Sequence, residues 1–465
     1  MACQGLSREY MGMRFSAPLD PGFLPAVLFN REYAARAKAS GQAEQLVIGI
    51  EREGGLVSRH EARVLPGGSP ETLRYVERLV KTLIWARGGW RIHIGGPAEI
   101  GTHIRAAYAP GGARAFDADL MSKVYERPVE VVACATGDVP AAREMAQDVG
   151  GHLDGCRIGF DLGASDYKVA AVREGEVVFS EEFPWNPRAE ADPAYHYGHI
   201  NKGLKAAAAH LPRVDAIGGS SAGVIVGNKI MVASLVRSVP PEKFEMAKTM
   251  FLRLREEWGV PLVVANDGDV TALAGAMSLE EDGVLGVAMG SSEAAGFIDR
   301  QGHILGWLNE LAFAPVDFNP EAPSEEWSGD RGVGALYFSQ QAVNKLLPAA
   351  GIELPATVGL PERLKEVQAL MAKGDPSATK IYETIGVYLG YTVAHYADFY
   401  DFQHMLILGR VTTGEGGNII LGRAREVLEG EFPDLVARVA LHLPDEKSRR
   451  VGQAVAAASL PEIGR

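Results

Sequence analysis

The sequence predicts an α/β protein in which apolar strands alternate with helices. Short apolar runs such as VLGVAM at 284–289 have the length of buried strands, and other stretches, such as residues 70–87, carry apolar residues at helical spacing. Three apolar runs lead into glycine-rich loops, at residues 161–168, 290–296 and 409–417. Because α/β sheets bind ligands at the carboxyl ends of their strands, these loops are candidate binding elements.

Composition excludes several classes of protein. The chain has 465 residues, 47% hydrophobic and 23% charged, which is typical of a globular protein of two or three domains. Its net charge of -13 argues against binding to a phosphate backbone. Three cysteines without a CxxC pair exclude a disulfide framework. The chain begins without a signal-peptide pattern and lacks an apolar stretch of 18 residues, so we expect a cytoplasmic protein.

The first third of the chain has two parts. Residues 1–45 lack periodicity and predict an irregular arm with a short helix at 31–40. Residues 46–153 predict an α/β segment, whose elements are the strands LVIGIE, GLVSRHEARVL, RIHIGGP and VEVVAC, a helix at 70–87 and a helix at 139–149.

A similar order of elements returns at residue 157. Short sequence echoes, such as HIGGPAEIG and AIGGSSAGV, suggest that residues 46–150 are a degenerate copy of residues 157–277. The alternative is that any two βα-rich segments look alike. No acidic strand end precedes the glycine turn of the first copy, so we expect that copy to be structural.

Two strand ends carry candidate binding and catalytic residues. After Asp161 the chain turns through small residues, which lets backbone N–H groups approach phosphate oxygens while the carboxylate holds hydrated Mg²⁺. A plain hairpin turn is the alternative. Asn266 and Asp267 end the strand PLVVAND, where a carboxylate can accept the proton of an attacking hydroxyl. Alternatively, Asp267 or Asp269 is a helix N-cap.

The ordered motifs DLGAS, IGGSSAGVI, VVANDGDVTALA, VAMGSSEAAGFID, GWLNELAF and LILGRV resemble the ROK branch of the sugar-kinase, Hsp70 and actin superfamily. The resemblance covers about 300 residues, from residue 155 to the end. It implies an actin/hexokinase-like two-lobed fold with ribonuclease H-like βββαβαβα units. It also implies ATP and Mg²⁺ as cofactors. By this resemblance Asp267 is the catalytic base, and Asn266 and Glu310 are sugar ligands. The first phosphate motif contains Asp161, Gly163 and Ser165, and Asp161 binds Mg²⁺ through water. The second phosphate motif contains Gly290, Ser291 and Ser292, and Gly409 lies near adenosine. Lys168 stands where actin has a phosphate-binding lysine, and a solvated strand residue is the alternative.

The chain also departs from the ROK pattern. Phe313 replaces a histidine, and the segment EEWSGDRGVGALYFS has no cysteine where the family has a zinc motif, so we expect no zinc site. Ala335 stands in place of a further sugar-contacting acid. The phosphate and adenosine loops carry side chains where glycines are usual, namely Ser292, Ala294, Ala295 and Arg410.

These observations predict an ATP-dependent kinase that phosphorylates a hydroxyl of a sugar or sugar-like polyol. The alternative is a non-catalytic sugar- or nucleotide-sensing protein, and a DNA-binding repressor ranks third. A small-molecule sugar or polyol is the expected partner, without nucleic acid or membrane, and a homodimer is a candidate assembly. The predicted segments are an arm at 1–45, a repeat-like α/β domain at 46–153, an N-lobe at 154–277 and a C-lobe at 278–465.

Overall fold

A computed structural model of the chain describes residues 12–144, 150–163, 166–444 and 452–463. The chain forms two compact units. The first comprises Met1–Met145, Val287–Ala294 and Gly306–Leu443, and the second comprises Ala146–Gly286, Ala295–Leu305 and Pro444–Arg465. The four segments predicted from the sequence stay a prediction.

The described residues form helices and strands throughout both units. The helices are α1 (Ala26–Ala39), α2 (Pro70–Arg87), α3 (Ala98–Ala107), α4 (Ala115–Tyr125), α5 (Pro193–Ala208), α6 (Phe244–Lys248), α7 (Met250–Trp258), α8 (Asp267–Leu279), α9 (Gln340–Ala350), α10 (Leu360–Ala372), α11 (Pro376–Ala397), α12 (Glu415–Glu431), α13 (Pro433–Val436) and α14 (Gln453–Ala458). The strands are β1 (Glu44–Glu51), β2 (Val57–Val64), β3 (Arg91–Gly95), β4 (Glu130–Cys134), β5 (Cys156–Leu162), β6 (Asp166–Arg173), β7 (Glu176–Pro184), β8 (Ala216–Ser221), β9 (Val224–Val226), β10 (Lys229–Val232), β11 (Leu262–Asn266), β12 (Val284–Met289), β13 (Glu293–Ile298), β14 (His404–Leu408) and β15 (Ala440–His442). Among the described helices, none is long and apolar enough to cross a membrane.

The second unit contains a five-stranded sheet in the order β11-β8-β5-β6-β7. Strand β6 pairs antiparallel with β5 and with β7, and strand β8 pairs parallel with β5 and with β11. This is the arrangement of a ribonuclease H-like βββαβα unit, so the predicted fold class is confirmed for this sheet. Helices α5, α7, α8 and α14 contact the parallel strands β5, β8 and β11, and the carboxyl ends of these strands share one edge.

The short helix α14 packs against the middle of this sheet. A Cβ atom built on Gly159 would lie 1.6 Å from the carbonyl oxygen of Ala454, and one on Gly218 would lie 1.6 Å from that of Ala457. Glycine is required at both positions because the backbone of α14 lies where a side chain would stand. The sequence AVAAA in the helix keeps its own side chains small enough for the same contact.

The sheet of residues 46–153 differs from that of the second unit. Its order is β2-β1-β3-β4, and β3 pairs antiparallel with β1, whereas β8 pairs parallel with β5 in the second unit. The sequence echoes therefore reflect similar local strand–turn patterns, and the strand directions argue against the predicted duplication.

The helix predicted at 139–149 is absent over its described part, residues 139–144. Arg143 instead forms an antiparallel bridge with Val57, with two backbone hydrogen bonds at 2.8 and 2.9 Å. Val139 is buried and fills the space above Gly49 and Gly95. Pro140 favours this extended path because it disfavours a helical conformation at the residue before it. Residues 145–149 lie outside the described residues.

Helix α2 is buried on nearly every side within the first unit. Ser69 caps its amino end by accepting a hydrogen bond from the Thr72 N–H at 3.2 Å, and Pro70 occupies the first turn, where its missing N–H costs nothing. Gly88, with φ 72°, ends the helix. Lys81 is fully buried on this helix, so its charge needs partners.

Candidate functional site

In the second unit, polar side chains gather at the carboxyl edge of the parallel strands. Asp161 on β5 is in register with Ser220 on the neighbouring β8, and the Ser220 hydroxyl donates a hydrogen bond of 2.7 Å to Asp161 Oδ1. On the other side of β8, Asn266 is in register with Ser221, and Asp267 follows at the start of α8. Parallel pairing thus brings Asp161 and the Asn266–Asp267 pair to one edge.

Asn266 is the N-cap of α8, and Asp267 is its first helical residue. The Asn266 Oδ1 atom accepts a hydrogen bond from the Gly268 N–H at 2.7 Å, and Asn266 Nδ2 donates to the Gly223 carbonyl at 2.8 Å. The same Gly268 N–H also donates to Asp267 Oδ1, at 3.0 Å, so the hydrogen bond is bifurcated. The capping role, which the sequence left open for Asp267 or Asp269, therefore belongs to Asn266.

The two acids at this edge influence each other electrostatically. Burial raises the pKa of Asp161 to about 6; the Ser220 hydrogen bond opposes this shift, and the neighbouring charge of Asp267 adds to it. Burial also raises the pKa of Asp267, against the effect of its hydrogen bond from the Gly268 N–H. Carboxylate oxygens are the ligands that a hard cation takes, so these two acids are the candidate cation ligands at this edge; among the described residues, no group of three or more His, Cys, Asp or Glu side chains could hold a metal ion.

The first glycine loop is only partly described. The carbonyl oxygen of Gly163 accepts a hydrogen bond from Trp185 Nε1 at 2.8 Å, which fixes the path of the chain out of β5. Ser165 lies outside the described residues. Lys168 on β6 is opposite Asp161, and its Nζ atom lies 3.5 Å from Glu182 Oε2 on β7. Both partners of this ion pair are about half exposed, so the pair is weak and Lys168 can exchange Glu182 for another anion.

In the first unit, the second glycine loop lies between β12 and β13. The Gly290 N–H donates to the Ser292 carbonyl at 3.0 Å, and the Gly290 carbonyl accepts from the Gln340 N–H at 2.9 Å. Ser291 and Ser292 are exposed. The loop is thus a tight turn anchored to the start of α9, with two hydroxyls at its surface.

Gly409 lies directly against the strand that enters this loop. Its φ is 103°, and a Cβ atom at this position would lie 2.5 Å from the carbonyl oxygen of Met289. The close approach places the turn after β14 beside the turn after β12. The structure therefore brings Gly409 and Gly290 together, and it leaves Arg410 exposed at the next position.

Glu310 lies in a loop that is bound to the carboxyl end of α2. The N–H groups of three consecutive residues, Leu308, Asn309 and Glu310, donate to the last carbonyls of α2 at 3.1 to 3.2 Å. Asn309 is buried with φ 53°, and its side-chain oxygen accepts a hydrogen bond from the Tyr400 hydroxyl at 3.1 Å. The early α/β segment therefore sets the backbone position of Glu310.

An aromatic cluster surrounds Phe313. Its ring centroid lies 4.5 Å from that of Trp85 on α2, 5.7 Å from that of Phe116 on α4 and 5.4 Å from that of Trp327. Trp327 belongs to the segment at 325–339, for which the sequence predicts no zinc site. Phe313 is thus held by packing of aromatic rings, with the exposed Trp327 at the edge of the cluster.

A buried ion cluster also holds this segment. Asp330 Oδ2 lies 2.8 Å from Arg78 NH1, 2.7 Å from Arg114 NH1 and 3.2 Å from Lys81 Nζ, and Lys81 also contacts both carboxylate oxygens of Asp117. Burial opposes the ionisation of Asp330, but these three cations outweigh it and hold its pKa well below the usual range. The loop around Asp330 is therefore fixed by charge.

Two buried acids were not predicted from the sequence, Asp330 and Glu293, which is the first residue of β13. A signal existed for each. Glu293 is the single charged residue of the strand EAAGFI, and Asp330 directly follows Gly329 in the segment EEWSGDRGVGALYFS. Their partners are far away in the sequence, so no local pattern indicated what they contact.

Comparisons with known proteins bear on the fold. No protein-family model and no curated protein matches the chain. Among solved structures, the ROK hexokinase from Thermus thermophilus is 18% identical, with 65% of this chain and 97% of that chain covered and a TM-score of 0.51. A ROK family transcriptional regulator, a homologue of the E. coli Mlc protein, is 19% identical, with 78% and 88% covered and a TM-score of 0.51.

A third structure, a ROK family glucokinase from Streptomyces griseus in complex with glucose and AMPPNP, is 18% identical, with 66% and 99% covered and a TM-score of 0.47. The fold conclusion rests on the other two, which include one kinase and one regulator and so share an architecture rather than an activity. Together with the ribonuclease H-like sheet, they confirm the prediction made from the ordered motifs. The chain has the two-lobed α/β fold of the ROK sugar kinases and regulators.

Proposed function

We propose that the protein is an ATP- and Mg²⁺-dependent kinase that phosphorylates a hydroxyl of a sugar or sugar-like polyol. The observation that carries the proposal is that capping of α8 is done by Asn266 and not by Asp267. Asn266 caps the helix, so the carboxylate of Asp267 is not needed for capping and is available at the carboxyl edge of the sheet. Phosphoryl transfer needs little more from the protein than positioning, charge neutralisation and a proton acceptor.

Each candidate residue has a role in this proposal. Asp267 accepts the proton of the attacking hydroxyl, and its raised pKa makes it a stronger base than an ordinary aspartate. Asn266 uses one hydrogen of its amide for the Gly223 carbonyl, and an amide carries a second hydrogen that can donate to a sugar oxygen. Glu310 accepts hydrogen bonds from sugar hydroxyls.

The loops are assigned to the nucleotide. Gly163, Ser165 and Lys168 belong to the first phosphate motif, Gly290, Ser291 and Ser292 to the second, and Gly409 to the adenosine side. Asp161 is the acid that would hold Mg²⁺ through water, since its partner Ser220 occupies one of its two oxygens. The cation would neutralise the phosphate charge when bound.

The test is an ADP-release assay with Mg-ATP over a panel of sugars and polyols. We expect at least one compound to raise the rate above the compound-free rate, and we expect Asp267→Asn to abolish that increase. Glu310→Gln should instead raise KM for the sugar, because a neutral amide is a weaker acceptor than a carboxylate. A protein that binds sugar or ATP but shows no sugar-dependent ADP release contradicts the kinase assignment.

A non-catalytic sugar- or nucleotide-sensing protein is the second candidate, and one observation favours it. The Gly290 N–H, which a phosphate-binding turn would present to a ligand, donates to Ser292 within its own loop. The added side chains of Ser292 and Ala294 also reduce the room beside that loop. Isothermal titration with ATP and with the same sugar panel separates the candidates, because a sensor retains binding in the absence of turnover.

A further inference from the structure

Trp327 presents an exposed aromatic side chain in the first unit, and none of the roles above uses it. Its exposed fraction is 58%, the largest among the exposed large apolar side chains of the described residues. An indole in water forgoes the stabilisation that burial of such a large apolar surface would give. Single exposed apolar residues are common on protein surfaces, so a binding role depends on how the indole is held and on what lies beside it.

The turn that carries Trp327 is fixed by a buried carboxylate. Glu325 is 6% exposed, and its Oε2 atom accepts hydrogen bonds from the Trp327 N–H at 3.1 Å, the Ser328 N–H at 2.6 Å and the Ser328 hydroxyl at 2.8 Å. The Glu325 N–H donates to the carbonyl of Asp330 at 2.8 Å, and Asp330 is held by the ion cluster described above. The backbone at Trp327 is therefore fixed before a ligand binds, which reduces the entropy cost of binding.

Two aromatic rings support the indole at steep angles. The ring centroid of Trp327 lies 5.4 Å from that of Phe116, with 80° between the planes, and 5.4 Å from that of Phe313, with 70° between the planes. Phe313 in turn packs against Trp85, which is fully buried. Among the described residues, no aromatic ring stacks parallel to the indole. Trp327, Phe116 and Phe313 thus form an aromatic platform whose indole can take a stacked ligand.

Glu310 lies one short turn of backbone away from this platform. The Phe313 N–H donates to the Glu310 carbonyl at 3.2 Å, and the 3₁₀ turn Leu311–Phe313 begins directly after Glu310. Contacts therefore run from Glu310 through Phe313 to Trp327. Aromatic surface combined with a few polar groups is typical of small-molecule sites. A ring-closed sugar suits both parts, because it carries hydroxyls at its rim and apolar C–H groups on its face.

We propose that Trp327 is a specificity-determining residue: its indole takes the apolar C–H face of a ring-closed sugar, while Glu310 accepts hydrogen bonds from hydroxyls of the same sugar. The proposal rests on the proposed function for the role of Glu310. A ring-closed sugar meets the indole with a rigid face. An open-chain polyol with matching hydroxyl groups must give up rotational freedom to form such a face, so it binds more weakly. The aromatic platform thus selects sugars against polyols.

Isothermal titration of the full chain with two matched pairs, D-glucose with D-glucitol and D-mannose with D-mannitol, tests this selection. We expect one sugar or both to bind about tenfold more tightly than the matching polyol. Trp327→Ala should weaken the binding of that sugar by about tenfold, the scale expected for the loss of a stacked ring, and should leave the polyol affinity unchanged. Trp327→Phe should retain most of the sugar affinity, because phenylalanine keeps an aromatic face.

Tryptophan fluorescence tests direct contact. The sugar should change the indole emission of the wild type, and Trp327→Phe should remove most of that change while the sugar still binds. A merely structural role of Trp327 would not produce this result. Val436→Ala is the matched control, since it removes apolar surface from a side chain of the same unit that is 41% exposed. It should leave affinity and emission unchanged, and urea unfolding checks that each variant is folded.

The proposal is overturned by equal affinities for sugar and polyol, by an equal loss of both in Trp327→Ala, by an emission change that survives in Trp327→Phe, or by a wild type that binds none of the four compounds. The ADP-release assay reports on the proposed function separately. Trp327-dependent sugar binding without ADP release contradicts the kinase assignment and leaves the role of Trp327 intact. Sugar-dependent ADP release with the same KM in wild type and Trp327→Ala overturns the role of Trp327 and leaves the kinase assignment intact.

Discussion

Asn266 Oδ1 and Asp267 Oδ1 share one donor, the N–H of Gly268, at 2.7 and 3.0 Å. The shorter bond belongs to Asn266, which has the extended backbone of an N-cap, with φ -60° and ψ 145°. Asp267 has helical geometry and lies in the first turn, where a carboxylate gains only a modest benefit from the helix dipole. The chemical and structural roles of this dipeptide are therefore separable by mutation.

We expect Asp267→Asn to lower turnover by roughly 10²–10⁴-fold, the range for loss of a positioned base. Its free energy of unfolding should change by less than about 1 kcal/mol, because only the dipole interaction is lost. Asn266→Ala is the contrasting variant, and it should lower stability by about 1 kcal/mol through loss of the cap. Steady-state kinetics and urea unfolding measure both effects. Full activity in Asp267→Asn would rule out the catalytic assignment.

Mg-ATP should raise the melting temperature, because a ligand that binds only the folded state stabilises it. At a free concentration of 100 times Kd the gain is about 2.7 kcal/mol. Thermal-shift measurements with Mg-ATP, Mg-ADP and a non-hydrolysable analogue test this expectation, and Asp267→Asn should retain the shift. No shift at millimolar concentrations would count against a nucleotide site.

Gly409→Ala should lower both stability and nucleotide affinity. The substitution places a methyl group 2.5 Å from the Met289 carbonyl oxygen at a φ of 103°, which side chains rarely adopt. Gly422→Ala is the matched control in the interior of α12, where a Cβ atom meets nothing within 4 Å. That variant should gain about 0.4–1 kcal/mol of stability. Equal effects of the two substitutions would contradict the close approach.

Asp330→Asn should cost about 3–5 kcal/mol at pH 7, because it removes the buried carboxylate that Arg78, Arg114 and Lys81 share. The depressed pKa also predicts a pH dependence. The folded-state pKa lies below the unfolded value of about 3.9, so the stabilisation is complete above that pH and is lost as pH falls below it. Asp119→Asn, which breaks the exposed pair with Lys123, should stay within about 0.5 kcal/mol of wild type. Denaturant unfolding between pH 3 and 7 distinguishes these outcomes.

We expect elemental analysis of tag-free protein to find far less than one zinc per chain. Structural zinc needs thiolate or imidazole ligands, and residues 325–339 contain neither cysteine nor histidine. Chelator treatment should leave the melting temperature unchanged, because the aromatic cluster around Phe313 and the ion cluster around Asp330 hold the segment. A stoichiometric zinc content would contradict this account.

The sequence predicted those parts of the structure that depend on local patterns. The strand ends at Asp161 and Asn266 could be located because apolar runs end there, and parallel pairing of β5, β8 and β11 brings such ends to one edge. The direction of β3 could not be predicted, since antiparallel and parallel strands carry similar apolar residues. The predicted helix is absent over residues 139–144, where packing of Val139 onto two glycines outweighs helical propensity.

Charge clusters escaped prediction for a different reason. Arg78 and Asp330 are 252 positions apart in the sequence, and Tyr396 and Glu293 are 103 apart. In the sequence, each of these residues looks like an ordinary solvated polar residue, because its burial can be inferred only when its partner is known. Ser165 lies outside the described residues, and its assignment stays a prediction.

The three hydrogen bonds from the loop at Leu308, Asn309 and Glu310 to the last turn of α2 have a consequence for the protein's modularity. A shortened chain that starts at residue 155 would retain every motif of the kinase-like region and yet lose these acceptors. Each backbone N–H left unsatisfied in a buried setting costs about 1–3 kcal/mol. The early segment is therefore part of the support of the loop that carries Glu310, and removing it should destabilise that loop.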